Sequence, residues 1–340
     1  MTLDHSTATF TALVDLASAR VGGAAVAAND DFFAPRSNLV KAASPIFIPG
    51  KYTARGKWMD GWETRRRRTP GHDWCVVALG IPGVIRGIDV DTSYFDGNHP
   101  SLCSLEALAS KTPPRPSMFR AIGPPWIELL AQAPLEPASR NLFAIAGDRP
   151  WSHVRLNIFP DGGVARLRVY GDAAVDWTRL RRARRVIDLA SIRNGGLVLG
   201  ASDMHFGAKD NLIMPGRAGN MGDGWETRRR RGEGFDWIVV RLGTTGSVAK
   251  VEIDTNHFEG NYPESASVEA CLAPGAPLEA LHSTATVWRE LLQRTRLSAH
   301  RRHVYAKELV DVGPVSHVRL NIFPDGGISR LRVHGYVARD

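Results

Sequence analysis

Two identical nine-residue stretches carry side chains well suited to bind an anion. The sequence DGWETRRRR occupies residues 60–68 and recurs at residues 223–231. A planar guanidinium binds a carboxylate through two parallel hydrogen bonds, and nearby acidic groups hold it in position. Asp60, Glu63 and Asp73 lie close in sequence to the first run. We therefore favour a site for a small carboxylate over a solvated strand face or a nucleic-acid surface, because the latter needs a broad basic area and usually exposed aromatics or a recognised module.

A second repeated block alternates apolar and polar residues. Residues 152–171 and 316–335 are identical at 17 of 20 positions. The alternation, with Pro-Asp-Gly-Gly at 160–163 as a turn signal, predicts a β-hairpin with one apolar face. Antiparallel sheets commonly leave the other face in water, but retention of all its polar residues favours a functional face. These residues are His153, Arg155, Asn157, Arg166 and Arg168, repeated as His317, Arg319, Asn321, Arg330 and Arg332.

A third block, DTSYFDGNHP, recurs as DTNHFEGNYP and ends a predicted strand in a Gly-Asn turn. Backbone geometry alone explains Asn and Gly in a tight turn, whereas the Asp and Thr are less easily explained that way. The pairs of interest are Asp91 with Asn98 and Asp254 with Asn261. His72 does not recur, because Phe235 takes its place. No metal-ligand spacing, phosphate-binding loop or nucleophile elbow is found.

These blocks belong to a tandem duplication with a period near 165 residues. We predict one domain over residues 1–175 and a second over 185–340, joined within residues 171–191. The first copy has about ten extra residues, around residues 46–56. Many short strand patterns broken by Gly and Pro predict an all-β fold of two jelly-roll β-sandwich repeats. Only short segments such as PPWIELLAQ and TVWRELLQR have a helical pattern.

Composition sets the class of protein. Lys and Arg exceed Asp and Glu by 43 to 35, a net charge of +8, and 43% of residues are hydrophobic, as in ordinary globular domains. The amino terminus lacks the basic-then-apolar order of a secretory leader, and no apolar stretch is long enough to span a membrane. The three cysteines have no paired spacing and are expected to be reduced. We expect a soluble, cytoplasmic protein.

The three blocks together resemble allantoicase, an enzyme family of purine and allantoin degradation that releases nitrogen from ureides. The resemblance rests on GKWMDGWETRRRRTPGHDWCVVALG, DTSYFDGNHP and SHVRLNIFPDGG, in tandem copies, and covers about residues 16–336. It implies two jelly-roll repeats similar to galactose-binding domains. It also implies a hydrolase of C–N bonds in linear amidines that converts allantoate and water to ureidoglycolate and urea. A non-catalytic jelly-roll module that binds a carbohydrate or an anion is the alternative.

Allantoate is a small carboxylate with two ureido groups, so a site needs cations, amide or carboxylate partners, and groups for proton transfer. The predicted acid/base candidates are Glu63, His72, Asp91 and His153. The predicted substrate ligands in the first copy are Arg65, Arg67, Asn98, Arg155, Asn157 and Arg166. Their predicted counterparts in the second copy are Glu226, Arg228, Arg230, Asp254, Asn261, His317, Arg319, Asn321 and Arg330.

The resemblance also sets expectations about partners. The expected partner is allantoate, with neither nucleic acid nor membrane, and a homo-oligomer is compatible with the sequence. No cofactor is evident; a divalent metal is compatible with the sequence, although no motif indicates one.

Overall fold

The computed structural model describes residues 10–120 and 125–339. The chain divides into two compact units, Met1–Ala174 and Val175–Asp340. Residues 1–9 of the amino-terminal stretch, in which no secretory leader is expected, lie outside the described residues. Each unit is an antiparallel β-sandwich, which confirms the predicted all-β class.

Within residues 10–120 and 125–174, the first repeat contains twelve strands. They are β1 (Val14–Asp15), β2 (Ala24–Ala28), β3 (Tyr52–Thr53), β4 (Gly56–Lys57), β5 (Trp62–Glu63), β6 (Asp73–Asp91), β7 (Leu102–Leu108), β8 (Ile127–Pro134), β9 (Arg140–Ala144), β10 (Pro150–Phe159), β11 (Gly163–Val164) and β12 (Arg166–Ala173). Its short 3-10 turns are Phe10–Ala12, Ala19–Val21, Arg36–Val40 and Pro116–Arg120.

The second repeat follows the same order after a short helix. Its elements are α1 (Trp177–Ala183), β13 (Ile187–Asp188), β14 (Leu197–Ala201), β15 (Trp225–Glu226), β16 (Asp236–Asp254), β17 (Ser265–Cys271), α2 (Leu278–Leu281), β18 (Arg289–Arg296), β19 (Arg302–Tyr305), β20 (Val315–Phe323), β21 (Gly327–Ile328) and β22 (Arg330–Val337). Its 3-10 turns are Ile192–Asn194, Lys209–Ile213 and Met221–Asp223.

The long strand β6 runs through both layers of the first sandwich. Its residues 73–78 pair with β10, and residues 75–78 also pair with β2. Its residues 83–91 pair with β12, and residues 87–91 also pair with β9. One layer is therefore β2-β6-β10-β7-β8 and the other is β1-β12-β6-β9. In the second repeat β16 has the same position, between β20 and β22.

The predicted hairpin of residues 152–171 is wrong. β10 pairs with β6 and β7, whereas β12 pairs with β1 and β6, so the Pro-Asp-Gly-Gly segment crosses from one layer to the other. Alternation reports only that each strand buries one face, and a strand that crosses layers satisfies it as well as a hairpin does. The polar residues of β10 and β12 consequently lie on different surfaces.

The predicted helical segments are also wrong. PPWIELLAQ and TVWRELLQR contribute to the edge strands β8 and β18, which pair with β7 and β17. Backbone pairing with a neighbouring strand outweighs the local helical preference of Leu, Glu and Gln.

The three repeated blocks meet at one aromatic side chain in each repeat. Phe95 is fully buried, and a Cβ at Gly163 would lie 2.0 Å from its ring. Phe258 crowds Gly327 in the same way, at 1.9 Å. These glycines permit the DGWETRRRR, Asp-Thr and Pro-Asp-Gly-Gly segments to pack together, so part of the retention between copies is structural.

The extra residues of the first copy form a small hairpin. β3 and β4 pair within residues 46–57, which we call the insertion segment; it contains the extra residues around 46–56, and Lys57 at its end aligns with Asn220 of the second copy. The three cysteines are buried and free, as predicted. Burial raises the pKa of Cys103 to about 12 and that of Cys271 to about 11, so both remain thiols near neutral pH.

Candidate active site

A cleft of about 620 Å³ lies on the outer surface of the five-stranded layer of the first repeat. We call it the first-repeat cleft. Its lining residues are Arg67, Gly71, His72, Trp74, Ser104, Glu106, Arg120, Glu128, Gln132, Arg155, Asn157 and Phe159.

Strand β10 supplies the floor of the cleft because its side chains alternate between the two faces of the sheet. Val154, Leu156 and Ile158 are fully buried in the sandwich. Arg155 and Asn157 have the opposite orientation and line the cleft. The sequence pattern therefore identified the correct face of this strand.

Arg155 is held by a carboxylate of the protein. Its Nε and Nη2 both lie 2.7 Å from Oε2 of Glu106, its cross-strand neighbour on β7. Nη1 donates to the carbonyl of Phe119 at 3.1 Å, and the guanidinium lies over Trp126, 4.7 Å from the ring centre. Arg155 consequently positions Glu106, and these contacts do not support the predicted role as a direct substrate ligand.

Asn157 presents a buried acceptor. Its Nδ2 donates to Oε2 of Glu106 at 2.9 Å and to Ser104 Oγ at 3.0 Å. The side chain is 4% exposed, and no described residue donates a hydrogen bond of good geometry to its Oδ1. A buried carbonyl without a donor costs about 1–3 kcal/mol, so the site is suited to a ligand that brings an N–H group.

His72 and Arg67 enter the cleft from the loop that precedes β6. The His72 ring packs on Phe159, with 4.7 Å between ring centres. Burial, followed by the positive charges of Arg155 and Arg67, lowers the pKa of His72. Arg67 donates from Nη1 to Asp73 at 2.7 Å and is partly exposed toward the cleft. The structure thus brings together four predicted residues: Arg67, His72, Arg155 and Asn157.

Sequence reasoning missed other residues of the cleft. Glu106 joins Arg155 to Asn157, while Glu128 and Gln132 come from the edge strand β8 that had been predicted as a helix. The retention of Glu106 as Glu269 was the available signal. The pairing of β7 with β10, which makes that signal meaningful, is not evident from sequence.

Glu63 and Asn98 meet at a separate pocket of about 390 Å³. Asn98 Nδ2 donates to Oε1 of Glu63 at 2.7 Å. Burial raises the pKa of Glu63, although the Asn98 hydrogen bond and the charge of Lys57 act against it. Strand β5 ends at Glu63, so Arg65 and Arg67 do not continue it as a predicted strand face would.

The other two acid/base candidates, Asp91 and His153, contact neighbouring protein groups and do not line the cleft. Asp91 is buried, and its Oδ1 accepts from the Ser93 amide at 2.8 Å, which fixes the turn after β6. His153 lies on β10 beside Ser152 Oγ, 2.9 Å from its Nδ1, and is not among the cleft residues. Burial lowers the pKa of His153.

Two predicted anion ligands bind protein carboxylates away from the cleft. Arg65 is largely exposed and pairs with Asp30 at 3.0 Å. Arg166 is 1% exposed and donates to the Asp60 carboxylate at 2.6 Å, the Asp60 carbonyl at 2.7 Å and the Ala43 carbonyl at 3.0 Å. These contacts anchor the loop before β5 and support a structural role for Arg166.

The second copy reproduces most of these contacts. Its pairs are Arg228 with Asp203, Arg230 with Asp236, Asn261 with Glu226, Arg319 with Glu269, Asn321 with Glu269, Arg330 with Asp223, and Asp254 with the amide of Asn256. His317 is fully buried, and burial, then the charge of Arg241, lowers its pKa to about 4.

The surface equivalent to the cleft differs in the second repeat. Phe235 replaces His72 and packs on Phe323, with 5.0 Å between ring centres. Arg294 replaces Gln132, and its guanidinium lies 4.1 Å from the centre of the Phe323 ring. The second repeat therefore lacks the imidazole and covers the corresponding aromatic ring with its own arginine.

Residues 10–120 and 125–339 contain neither a metal-binding cluster nor a membrane-spanning helix. No group of three His, Cys, Asp or Glu side chains within these ranges could hold a metal ion. Within the same ranges, no helix has the length and apolar character needed to cross a membrane.

Comparisons with known proteins agree on one family. The family description "Allantoicase repeat" matches residues 14–174 and 187–338. The chain is 47% identical over 340 residues to a probable allantoicase of Pseudomonas aeruginosa, covering 98% of each chain. It is 48% identical over 322 residues to probable allantoicase 1 of Burkholderia mallei, covering 95% of this chain and 94% of that protein. The crystal structure of allantoicase from Saccharomyces cerevisiae matches with a TM-score of 0.81 and 34% identity, covering 98% and 99% of the two chains.

Proposed function

Because the chain belongs to the allantoicase family, we propose that it hydrolyses allantoate to ureidoglycolate and urea in the first-repeat cleft. The observation that carries this assignment is that His72 and the buried amide of Asn157 lie together in one cleft, where an interaction with Asn157 opposes the lowering of the His72 pKa. Among the described residues, none makes a hydrogen bond of good geometry to Oδ1 of Asn157. A ureido group is planar and rich in N–H donors, so it supplies what this acceptor lacks.

The remaining groups of the cleft fit the rest of the substrate. Arg67 and Arg120 are the guanidiniums that bind the carboxylate. Arg155 is almost fully buried with Glu106, whereas Arg67 pairs with Asp73 but remains partly exposed toward the cleft. Glu106 is fixed by Arg155 and Asn157, so it is an oriented acceptor for a second ureido N–H. Fixed hydrogen-bonding partners hold the substrate in one orientation for reaction.

His72 is the proton-transfer group in this proposal. Its lowered pKa keeps the imidazole neutral at pH 7, the form that accepts a proton. Release of urea needs a base that activates water or removes a ureido proton, and a proton for the departing nitrogen. His72 acts as the base, and Glu128 is the cleft carboxyl group assigned to the second transfer.

The finer classification follows from this reaction. The enzyme is a hydrolase of C–N bonds in linear amidines. The bond that breaks joins the α-carbon of allantoate to one ureido nitrogen. A cytoplasmic location accords with three cysteines that remain free thiols.

Exchange of the residue that differs between the repeats tests the assignment. His72→Phe copies the second repeat, and we expect kcat for urea release to fall about 10²- to 10⁴-fold, the usual contribution of a proton-transfer group. Phe235→His is the matched control and should leave kcat unchanged. Wild-type kcat in folded His72→Phe protein would refute the cleft as the catalytic site.

A further inference from the structure

The first repeat contains a second pocket that the proposed reaction does not use. Its polar lining residues are Lys57, Glu63, Asp96 and Asn98, and its apolar lining includes Phe33, Met59 and Tyr94. We call it the Glu63 pocket. Its volume of about 390 Å³ is within the range of about 300–1,000 Å³ typical of small-molecule sites.

The floor of the Glu63 pocket is an acceptor with spare capacity. Glu63 Oε1 accepts from Asn98 at 2.7 Å, and Oε2 makes no hydrogen bond with any described residue. The main chain of Glu63 bridges to Ala34 and pairs with Gly163, so the carboxylate is held by backbone on both sides. A fixed carboxylate with a free oxygen binds a ligand N–H group.

The insertion segment supplies the cation. Lys57 lines the pocket, and its Nζ lies 4.7 Å from the centre of the Phe47 ring. Phe47 in turn stacks on Tyr94, with 5.9 Å between ring centres and 24° between planes. Tyr94 has a φ of 70°, which is unfavourable for an aromatic residue. The insertion segment therefore packs against a strained turn at the rim of the pocket.

The second repeat retains the Glu-Asn pair at the base of the pocket but lacks the lysine and the insertion segment beside it. Asn261 donates to Glu226, as Asn98 does to Glu63. Asn220 stands at the position of Lys57, and the surrounding pocket is larger, about 750 Å³. The ammonium group beside the carboxylate is thus specific to the first repeat.

We propose that the Glu63 pocket binds a small ureido acid. Lys57 pairs with the carboxylate of the ligand, Glu63 accepts from its ureido N–H groups, and the aromatic wall packs on the planar ureido unit. The proposal rests on the groups of this pocket and does not depend on hydrolysis in the first-repeat cleft.

Hydrogen exchange with N-carbamoylglycine as the probe locates binding by segment. In the full-length protein, we expect the probe to slow exchange of residues 46–60 and 93–98. Lys57→Met and the nearly isosteric Glu63→Gln should each raise the apparent Kd for this protection about tenfold or more, as for loss of a charge-assisted hydrogen bond. The matched change Glu226→Gln should leave it unaltered.

Three results would overturn the proposal: no protection of these segments, protection that survives both variants, or equal protection by acetate at the same concentration. The last result would reduce the site to a plain carboxylate site. If N-carbamoylglycine instead protects β10 and β7 alone, the hydrolytic assignment stands and the Glu63 pocket fails. If Glu63→Gln abolishes both the protection and urea release, the pocket is confirmed as a ligand site and the cleft loses its catalytic role.

Discussion

The two repeats contain the same Arg-Glu-Asn network but differ in what surrounds it. In the first repeat, Arg155 and Asn157 converge on Glu106 beside His72. In the second, Arg319 and Asn321 converge on Glu269 in the same way, and Asn321 Oδ1 is also buried without a partner among the described residues. The network is therefore a shared structural element of the sheet, and the residues around it distinguish the two repeats.

The comparison also separates residues that support the fold from residues that border the cleft. Arg166 and its counterpart Arg330 are retained because each anchors a loop from within the sandwich. Gln132 and Arg294 differ because they border the cleft rather than support the fold. Retention between copies consequently indicates folding constraints at least as often as ligand binding.

The largest expected effect concerns the buried loop anchor. Arg166→Met removes the buried partner of the Asp60 carboxylate and leaves it the half-exposed Lys41, whose Nζ lies 2.9 Å away. Loss of one member of a buried pair costs about 3–5 kcal/mol, and the remaining Lys41 contact reduces that cost. Asp60 is 7% exposed, whereas Asp223, the partner of Arg330, is 25% exposed. We expect Arg166→Met to speed hydrogen exchange of residues 41–60 more than Arg330→Met speeds that of residues 214–223. Equal effects would contradict the difference in burial.

The second effect is a difference in acid stability. His317 has a pKa of about 4 in the folded protein, below the usual 6.5. Its contribution to the free energy of unfolding is therefore fully present above pH 6.5 and is lost as the pH falls toward 4. The loss amounts to up to about 3 kcal/mol at 1.36 kcal/mol per pKa unit. His153 is less buried and should contribute less. Hydrogen exchange of β20 and β10 between pH 7 and 4.5 measures both, and His317→Gln should remove the larger dependence.

A third prediction makes the first-repeat cleft resemble the second. Gln132→Arg should place a guanidinium over Phe159, as Arg294 lies over Phe323. The substrate is then displaced from the catalytic groups, and we expect kcat/KM for allantoate to fall about a hundredfold. Arg294→Gln is the matched control and should leave turnover unchanged. An active Gln132→Arg variant would show that allantoate does not occupy the cleft.

The smallest effect is on the pH–rate profile. If neutral His72 accepts the proton, kcat/KM should fall about tenfold per pH unit only below its lowered pKa, and should therefore fall less between pH 7.5 and 6.5 than it would for a histidine of ordinary pKa. The lowered pKa moves the acid limb to more acidic pH, because protonation inactivates the base. A rate that rises on acidification would assign His72 to the acid role instead.

Much of the fold could be predicted from local patterns. The duplication is visible because long identical segments recur at a nearly constant offset. Alternation along residues 153–158 placed Arg155 and Asn157 on the face opposite the core, because side-chain direction in a strand depends only on position. The reduced cysteines were predicted from their odd number and unpaired spacing, and the extra segment from the change in offset between the two copies.

The site itself depends on pairings that no local pattern contains. Glu106 meets Arg155 only because β7 lies beside β10, and Arg166 leaves that surface only because β12 crosses to the other layer. Strand partners are selected by the packing of the whole sandwich, whereas alternation records only which face is buried. The sequence by itself determined the two all-β repeats and the outward face of β10. Only the tertiary structure decided that Arg67, His72 and Asn157 share a cleft, because Asn157 lies 85 residues after His72 and 90 residues after Arg67 in the chain.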